Sequence, residues 1–211
     1  LGIAGRSVRW TTGEMGRFPT RPWYESGEME EVCEGVVSEF LQETRGNIGY
    51  PISTEELTVL IERHTSEFDQ FADLSAIGGK VQGITIFIDG ERPIVRIDQH
   101  LQGDLPWHQN RFRTTVAHEL GHVVFHRELA KLRVGARNGT PTESSLCHCD
   151  EDNIIGTGGV DWMEWQAGYA SGAFLMPQSH LLGLITRWRG EWHCSSGNPP
   201  RLAARHDLVS Q

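Results

Sequence analysis

Residues 111–126 read RFRTTVAHELGHVVFH, with His118, Glu119 and His122 at the centre. Two histidines four positions apart lie on the same face of a helix, one turn from each other, so both imidazoles can bind one metal ion. Neutral imidazole is a good Zn²⁺ ligand, and a catalytic zinc takes three protein ligands and leaves one position for water. Glu119 can reach that water and take its proton as a general base. The stretch predicts a helix that carries a catalytic metal site.

The apolar residues around the histidines favour this helix. They recur at helical spacing, at Val116, Leu120, Val123 and Val124. Gly121 costs helix stability relative to alanine, so we expect a second element to pass close to the helix at this position. The alternative interpretation is an ordinary core helix whose two histidines arose by chance, because His-Glu-x-x-His is a short pattern.

Composition and charge limit the class of protein. The chain has 211 residues, 38% hydrophobic and 22% charged, which suits one globular domain with a small appendage. The net charge of −9 argues against direct nucleic-acid binding and favours a basic protein partner. No apolar run approaches the length of a membrane helix, so we expect no membrane contact. The 4 cysteines are too few for a disulfide framework and predict a cytoplasmic protein.

The rest of the chain predicts an α+β fold that is mainly helical, with a small β-sheet. Residues 1–27 have no helical or strand period and are interpreted as an extended N-terminal arm. Residues 28–177 are the main domain, and residues 178–211 are a C-terminal helical segment. The predicted elements are helices at 29–44 and from the capping box at 53–56 to about 64, strands at 84–88 and 94–97, a helix starting near 106, a long loop at 134–160, and helices at 161–176, 178–188 and 199–210.

The pair of histidines needs a third protein ligand. The candidates are carboxylates, His126 and the cluster Cys147-His148-Cys149, and Glu164 is the preferred one. Small residues follow Glu164 on its own helical face, at Ala167, Gly168, Ser171 and Gly172. Such a stripe lets two helices approach closely, as a carboxylate bound to a metal on the neighbouring helix requires. The alternative is a tight helix contact that leaves Glu164 exposed.

Two motifs in this order resemble the ImmA/IrrE family of zinc metallopeptidases. That family shows R-F-T-x-A-H-E-L-G-H followed by E-x-x-A-x-x-F-A-x-x-L-L-M-P, and this chain has R-F-R-T-T-V-A-H-E-L-G-H and then E-W-Q-A-G-Y-A-S-G-A-F-L-M-P. The resemblance extends from about residue 84 to residue 177. It implies that His118, His122 and Glu164 bind zinc and that Glu119 is the general base.

The resemblance also implies a fold and a function. The fold is a helical zincin-like metallopeptidase domain at 28–177, with a sheet of about three strands beside the His-Glu-x-x-His helix. The cofactor is Zn²⁺, with Mn²⁺ as an alternative because similar sites accept several divalent metals. The usual substrate is a helix-turn-helix repressor, a DNA-binding protein whose cleavage relieves repression in a stress response or a mobile element. This chain departs from the family at Tyr169, where phenylalanine is usual, and at Gln166, where many relatives carry an acid.

Two other functions fit the same residues. A zinc-stabilised regulatory module would sequester a repressor without cleaving it, and a peptidase or toxin component would act on another substrate. Glu119 favours an enzyme, because a binding module has no need of a base. If the chain is an enzyme, candidate donors to the oxyanion, or side chains that orient a ligand, are His126, Tyr169 and Arg113.

The segment with Cys147, His148 and Cys149 is a candidate for a second metal site. Two thiols so close together need a further ligand, for which Cys33 or Cys194 would have to join them. A second hypothesis is that this segment covers the zinc and keeps the enzyme latent. The alternative interpretation is a loop with incidental thiols.

Overall fold

Helices and short strands make up the residues that the computed structural model describes, which are 9–12, 20–77, 80–88, 90–127, 145–150 and 162–194. These residues form an α+β fold, as the sequence predicts. In chain order the elements are β1 (Arg9–Thr12), β2 (Thr20–Trp23), α1 (Ser26–Arg45), α2 (Thr54–His64), β3 (Glu67–Ala72), β4 (Val81–Phe87), β5 (Ile94–Asp98), a 3-10 helix (Gln99–Leu101), α3 (Pro106–Phe125), β6 (Ser145–Asp150), α4 (Trp162–Leu175) and α5 (Gln178–Cys194). The chain divides into two compact units, Leu1–Pro177 and Gln178–Gln211.

The arm predicted at residues 1–27 contains two short strands among its described residues, 9–12 and 20–27. β1 and β2 are extended, but they pair antiparallel in a two-stranded sheet, and α1 already begins at Ser26. Strands of 4 residues are too short to show a period of two in the sequence. Arg9 donates to Glu25 at 3.1 Å and to Glu28 at 2.7 Å, so the first strand is tied to the start of α1.

The next two helices agree with the prediction. Ser53 starts α2 with a capping box, in which its Oγ accepts from the Glu56 backbone N–H at 3.2 Å and its own N–H donates to Glu56 Oε2 at 2.8 Å. Arg45 at the end of α1 pairs with the same Glu56 carboxylate. The buried apolar faces of the two helices consist of Met29, Cys33, Val37, Phe40, Leu41, Leu57, Leu60 and Ile61.

A four-stranded sheet with the order β3-β5-β4-β6 replaces the sheet of about three strands that we expected. The two predicted strands are β4 and β5, which pair antiparallel, and β3 is parallel to β5. The additional strand β6 pairs antiparallel with β4 and occupies residues 145–150, inside the predicted loop. Residue types alone did not reveal β6, because strand preference depends on the neighbouring strand more than on intrinsic propensity.

Helix α3 is the centre of the fold. It contacts α4 and α2, and it also contacts β4, β5 and β6 of the sheet. Every residue from Thr115 to Val123 is buried, which is typical of a helix that is covered on all sides. The helix starts at Pro106, as the sequence predicts.

The second unit is described by α5, which continues the predicted helix at 178–188 as far as Cys194. The helix predicted at 199–210 lies outside the described residues. Several long apolar side chains of α5 are exposed, namely Leu181, Leu182, Leu184, Ile185 and Trp188. Among the helices that can be described, none combines the length and the apolar character needed to cross a membrane.

Candidate metal centre

The two helices that carry the candidate ligands touch at Gly121. A Cβ atom at this position would lie 2.9 Å from the Ala167 Cα and 3.0 Å from the Ala167 carbonyl oxygen. The backbones of α3 and α4 are therefore in direct contact, which confirms the expected close approach at Gly121. Ser171 adds a hydrogen bond from its Oγ to the Thr114 carbonyl oxygen at 3.1 Å.

The predicted stripe of small residues is only half correct. Ala167 and Ser171 are buried against α3, but a Cβ at Gly168 or Gly172 would meet no atom within 4 Å. The close approach therefore depends on Gly121 and on the small side chain of Ala167. The two glycines of α4 are not needed for it.

We expect Gly121→Ala to destabilise the fold by about 1–3 kcal/mol, because the added methyl group meets backbone that cannot move aside. It also pushes α4 away from α3, so metal affinity falls with stability. The matched control is Gly172→Ala, which has open space and gains helix propensity of up to about 1 kcal/mol. Urea unfolding of both variants measures the difference. Equal free energies of unfolding would contradict the packing described for Gly121.

The side chains of His118, His122 and Glu164 converge between α3 and α4. The Nε2 atom of His118 lies 3.1 Å from Glu164 Oε2 and 3.2 Å from His122 Nε2, and His122 Nε2 lies 3.5 Å from Glu164 Oε1. A tetrahedral ion about 2.0–2.1 Å from each donor places the donors roughly 3.3 Å apart. The three donors fit that spacing, so this buried group could hold a metal ion.

The protonation states of the group also suit a metal. Burial lowers the pKa of His118, which favours the neutral imidazole. Burial alone would raise the pKa of Glu164, but the adjacent imidazoles of His122 and His118 outweigh it and hold this pKa below its usual value. Neutral imidazole and ionised carboxylate are the forms that bind a metal.

The carboxylate of Glu119 contacts the sheet, and it also interacts electrostatically with His122 and Glu164 of the candidate metal group. Thr85 on β4 donates to Glu119 Oε2 at 2.6 Å, and both side chains are fully buried. Gly83 leaves room for the carboxylate, because a Cβ at Gly83 would lie 2.6 Å from Glu119 Oε1. Oε1 itself has no hydrogen-bond partner among the described residues. Burial raises the pKa of Glu119 to about 7, although His122 and Thr85 act to lower it.

Two of the candidate oxyanion donors have other partners. Arg113 donates to Thr54 Oγ1 and to the Ile52 carbonyl oxygen, both at 2.9 Å, and so links α3 to the start of α2. Tyr169 donates to Glu30 and so links α4 to α1. These hydrogen bonds give both residues a structural role, and nothing in the described residues supports them as oxyanion donors.

His126 lies on the side of His122 that faces away from the metal donors. Its Nδ1 atom is 2.9 Å from His122 Nδ1, and its Nε2 atom is 3.0 Å from Gln166 Oε1. Of the roles predicted for His126, which were third ligand, oxyanion donor and residue that orients a ligand, its position fits the last. Sequence reasoning did not single out Thr85 or Gly83, whose only signals are a hydroxyl and a glycine in an apolar strand.

The segment with Cys147, His148 and Cys149 lies in the edge strand β6, where its backbone pairs with 83–85 of β4. The side chains of β6 fall outside the described residues, so its roles in a second metal site or in latency stay predictions. Cys33, one of the thiols considered for the second site, is buried in the core. Burial raises the pKa of its thiol, which disfavours the thiolate that a metal needs.

Comparison with known proteins finds no family model that matches the chain and no curated protein with significant similarity to it. The likeness to ImmA/IrrE peptidases therefore depends on the two sequence motifs. The geometry of the metal-binding group stands independently of that likeness.

Proposed function

We propose that this chain is a zinc-dependent endopeptidase of the ImmA/IrrE type with a zincin-like fold. The observation that carries the proposal is the arrangement around a single turn of α3. His118 and His122 meet Glu164, and the adjacent Glu119 presents a buried carboxylate, one oxygen of which has no hydrogen-bond partner in the part of the chain that the structure describes. A metal site that only stabilised the fold would not need this carboxylate, because burying it costs free energy.

Each residue has a defined part in peptide hydrolysis. A bound zinc ion supplies Lewis-acid polarisation of the scissile carbonyl and lowers the pKa of the attacking water. Glu119 takes a proton from that water and delivers it to the leaving amine. Thr85 holds Oε2, which leaves Oε1 with free acceptor capacity. Burial raises the pKa of this carboxyl above its usual value, which makes it a stronger proton acceptor.

The proposed substrate is a helix-turn-helix repressor whose cleavage relieves repression. The family resemblance supports this choice, and the net charge of −9 suits a basic DNA-binding partner. The test incubates zinc-loaded protein with such repressors and identifies fragments by mass spectrometry. We expect two fragments from one cut, no cleavage after chelation, and recovery when Zn²⁺ or Mn²⁺ is added. Intact repressors in the presence of zinc-loaded protein would refute the substrate.

A regulatory module that sequesters a repressor without cleavage is the second candidate. The burial of the ligands favours it, because His118 and His122 have no exposed surface and the Glu164 side chain is only 13% exposed. A repressor that is released from DNA but stays uncut in the assay above would establish this function. The same assay with unrelated unfolded proteins detects a peptidase with another substrate.

We expect Gly83→Ala to lower turnover by roughly 100-fold, which is the cost of misplacing a catalytic group by about 1 Å. The new methyl group occupies the space of Glu119 Oε1 and must displace it. The atoms that this methyl group meets do not include His118, His122 or Glu164, so metal content stays at the parent value. Gly35→Ala is the control, since a Cβ on that exposed position of α1 meets no atom within 4 Å. Parent turnover in Gly83→Ala would show that the position of this carboxylate is not critical.

A further inference from the structure

A chain of buried hydrogen bonds extends from His122 away from the metal donors. His122 Nδ1 lies 2.9 Å from His126 Nδ1, His126 Nε2 lies 3.0 Å from Gln166 Oε1, and Gln166 Nε2 donates to the Pro22 carbonyl oxygen at 3.4 Å. His122 and His126 have no exposed surface, and Gln166 is 5% exposed. The chain therefore connects α3, α4 and the N-terminal strand β2 without bulk water between the groups.

When the His126 ring is neutral, one assignment of hydrogens satisfies every link of this chain. The Pro22 carbonyl can only accept, so the amide nitrogen of Gln166 faces it and the amide oxygen faces His126. His126 must then carry its hydrogen on Nε2, which makes its Nδ1 an acceptor in the neutral ring. His122 in turn must carry its hydrogen on Nδ1. In this tautomer the hydrogen-free nitrogen of His122 is Nε2, the atom that faces His118 and Glu164.

We propose that His126 and Gln166 are positioning residues of the metal centre, which fix the tautomer and the ring orientation of His122. Their effect on a metal ion passes through His122. His126 contacts the Nδ1 atom of the His122 ring, whereas the Nε2 atom on the other side of the ring faces the other candidate ligands. The inference rests on the metal centre in the proposed function, but it does not depend on peptide hydrolysis.

The two histidine ligands differ in the hydrogen bonding of their Nδ1 atoms. His118 Nδ1 is buried and has no hydrogen-bond partner among the described residues. A ring nitrogen that donates to a fixed acceptor raises the basicity of the ligand and holds its orientation, and loss of the acceptor commonly weakens metal affinity by about 10–100-fold. The orientation of the ligand set is therefore controlled through His122, and by way of Pro22 it is coupled to the β1–β2 sheet.

The test measures the dissociation constant for Zn²⁺ by competition with a chelator, in the full chain at one fixed pH. Gln166→Leu removes the acceptor at similar volume, and His126→Phe removes the link but keeps a ring against Trp162, whose ring centroid lies 5.5 Å away. We expect each change to raise the dissociation constant by about 10–100-fold. Gln166→Glu keeps an acceptor oxygen for His126 but loses the amide donor to Pro22, so its constant should rise less than that of Gln166→Leu.

A second readout separates positioning from a purely structural role. Co²⁺ bound in place of zinc reports ligand geometry through its visible absorption, and we expect this spectrum to change in Gln166→Leu but not in Gln166→Glu. Urea unfolding of the metal-free proteins identifies variants that have lost the fold. A folded Gln166→Leu with the parent dissociation constant and Co²⁺ spectrum would overturn the proposal. A Gln166→Glu variant that binds Zn²⁺ as weakly as Gln166→Leu would also overturn the proposal.

These outcomes are independent of cleavage. A parent chain that binds zinc, with weakened binding in Gln166→Leu, supports the positioning role even if no repressor is cut. A parent chain that cuts repressors while both variants keep full metal affinity refutes the positioning role and leaves the proposed function intact.

Discussion

Replacing Glu164 by alanine should remove the metal ion from the purified protein. Its carboxylate contributes oxygens 3.1 and 3.5 Å from the Nε2 atoms of His118 and His122, and alanine offers no donor in their place. Loss of a residue that only hydrogen-bonds to a ligand weakens metal affinity by up to roughly 100-fold. We expect loss of the ligand itself to raise the dissociation constant for Zn²⁺ by more than this. Elemental analysis of parent and variant proteins, purified side by side, measures the effect.

Two further variants make this result interpretable. His118→Ala removes a ligand from the strongest motif of the sequence and is the positive control for loss of metal. Glu39→Ala removes the same charge from an exposed site on α1 and should keep the full metal content. Near-stoichiometric zinc in Glu164→Ala would show that the third ligand lies elsewhere, and β6 with its two cysteines would become the first place to search.

The convergence of the candidate ligands was predictable from the sequence because its geometry is largely local. His118 and His122 lie one turn apart on any regular helix, so their convergence needs no tertiary information. Glu164 lies on another helix. Gly121 and the small side chain of Ala167 nevertheless indicated in the sequence that the two helices are in contact. The same reasoning overvalued Gly168 and Gly172, because a small residue does not reveal whether a partner faces it.

The residues that sequence reasoning missed depend on contacts between distant parts of the chain. Thr85 and Glu119 are 34 residues apart and meet only because α3 packs on β4. Gln166 and Pro22 are 144 residues apart, and their contact needs a two-stranded sheet that the sequence does not indicate. Residue type gives the chemistry available at such positions, whereas the fold decides which groups meet.

The central position of α3 explains how one helical turn can present a candidate metal ligand and a buried carboxylate to different neighbours. His118 and Glu119 are consecutive, so their side chains leave the helix about 100° apart. The histidine reaches α4, and the glutamate reaches β4 on another side of the helix. On a surface helix, one of these two side chains would be exposed to solvent. If it were Glu119, its carboxylate would be neither desolvated nor held in place.

We therefore expect Glu119→Gln to lower turnover by about 10²–10⁴-fold, the usual contribution of a general base. The amide has nearly the same shape as the carboxylate, and its oxygen can still accept the hydrogen bond from Thr85. Glu119 is not one of the grouped metal ligands, so zinc content should equal that of the parent. The measurements are the rate of repressor cleavage and the zinc content of the same preparation.

The control for Glu119→Gln is Thr85→Val, which keeps the charge and the shape of the pocket and removes only the hydroxyl. It should lose less activity than Glu119→Gln, because the base is still present and has lost only its hydrogen bond. Undiminished cleavage by Glu119→Gln would exclude Glu119 as the base, even if the metal centre is correct. Repressor release that persists in Glu119→Gln without any cleavage would identify a binding module. The proton acceptor is the one part of this site that a peptidase needs and a binding module does not, so this substitution separates the two functions on a single folded, metal-loaded protein.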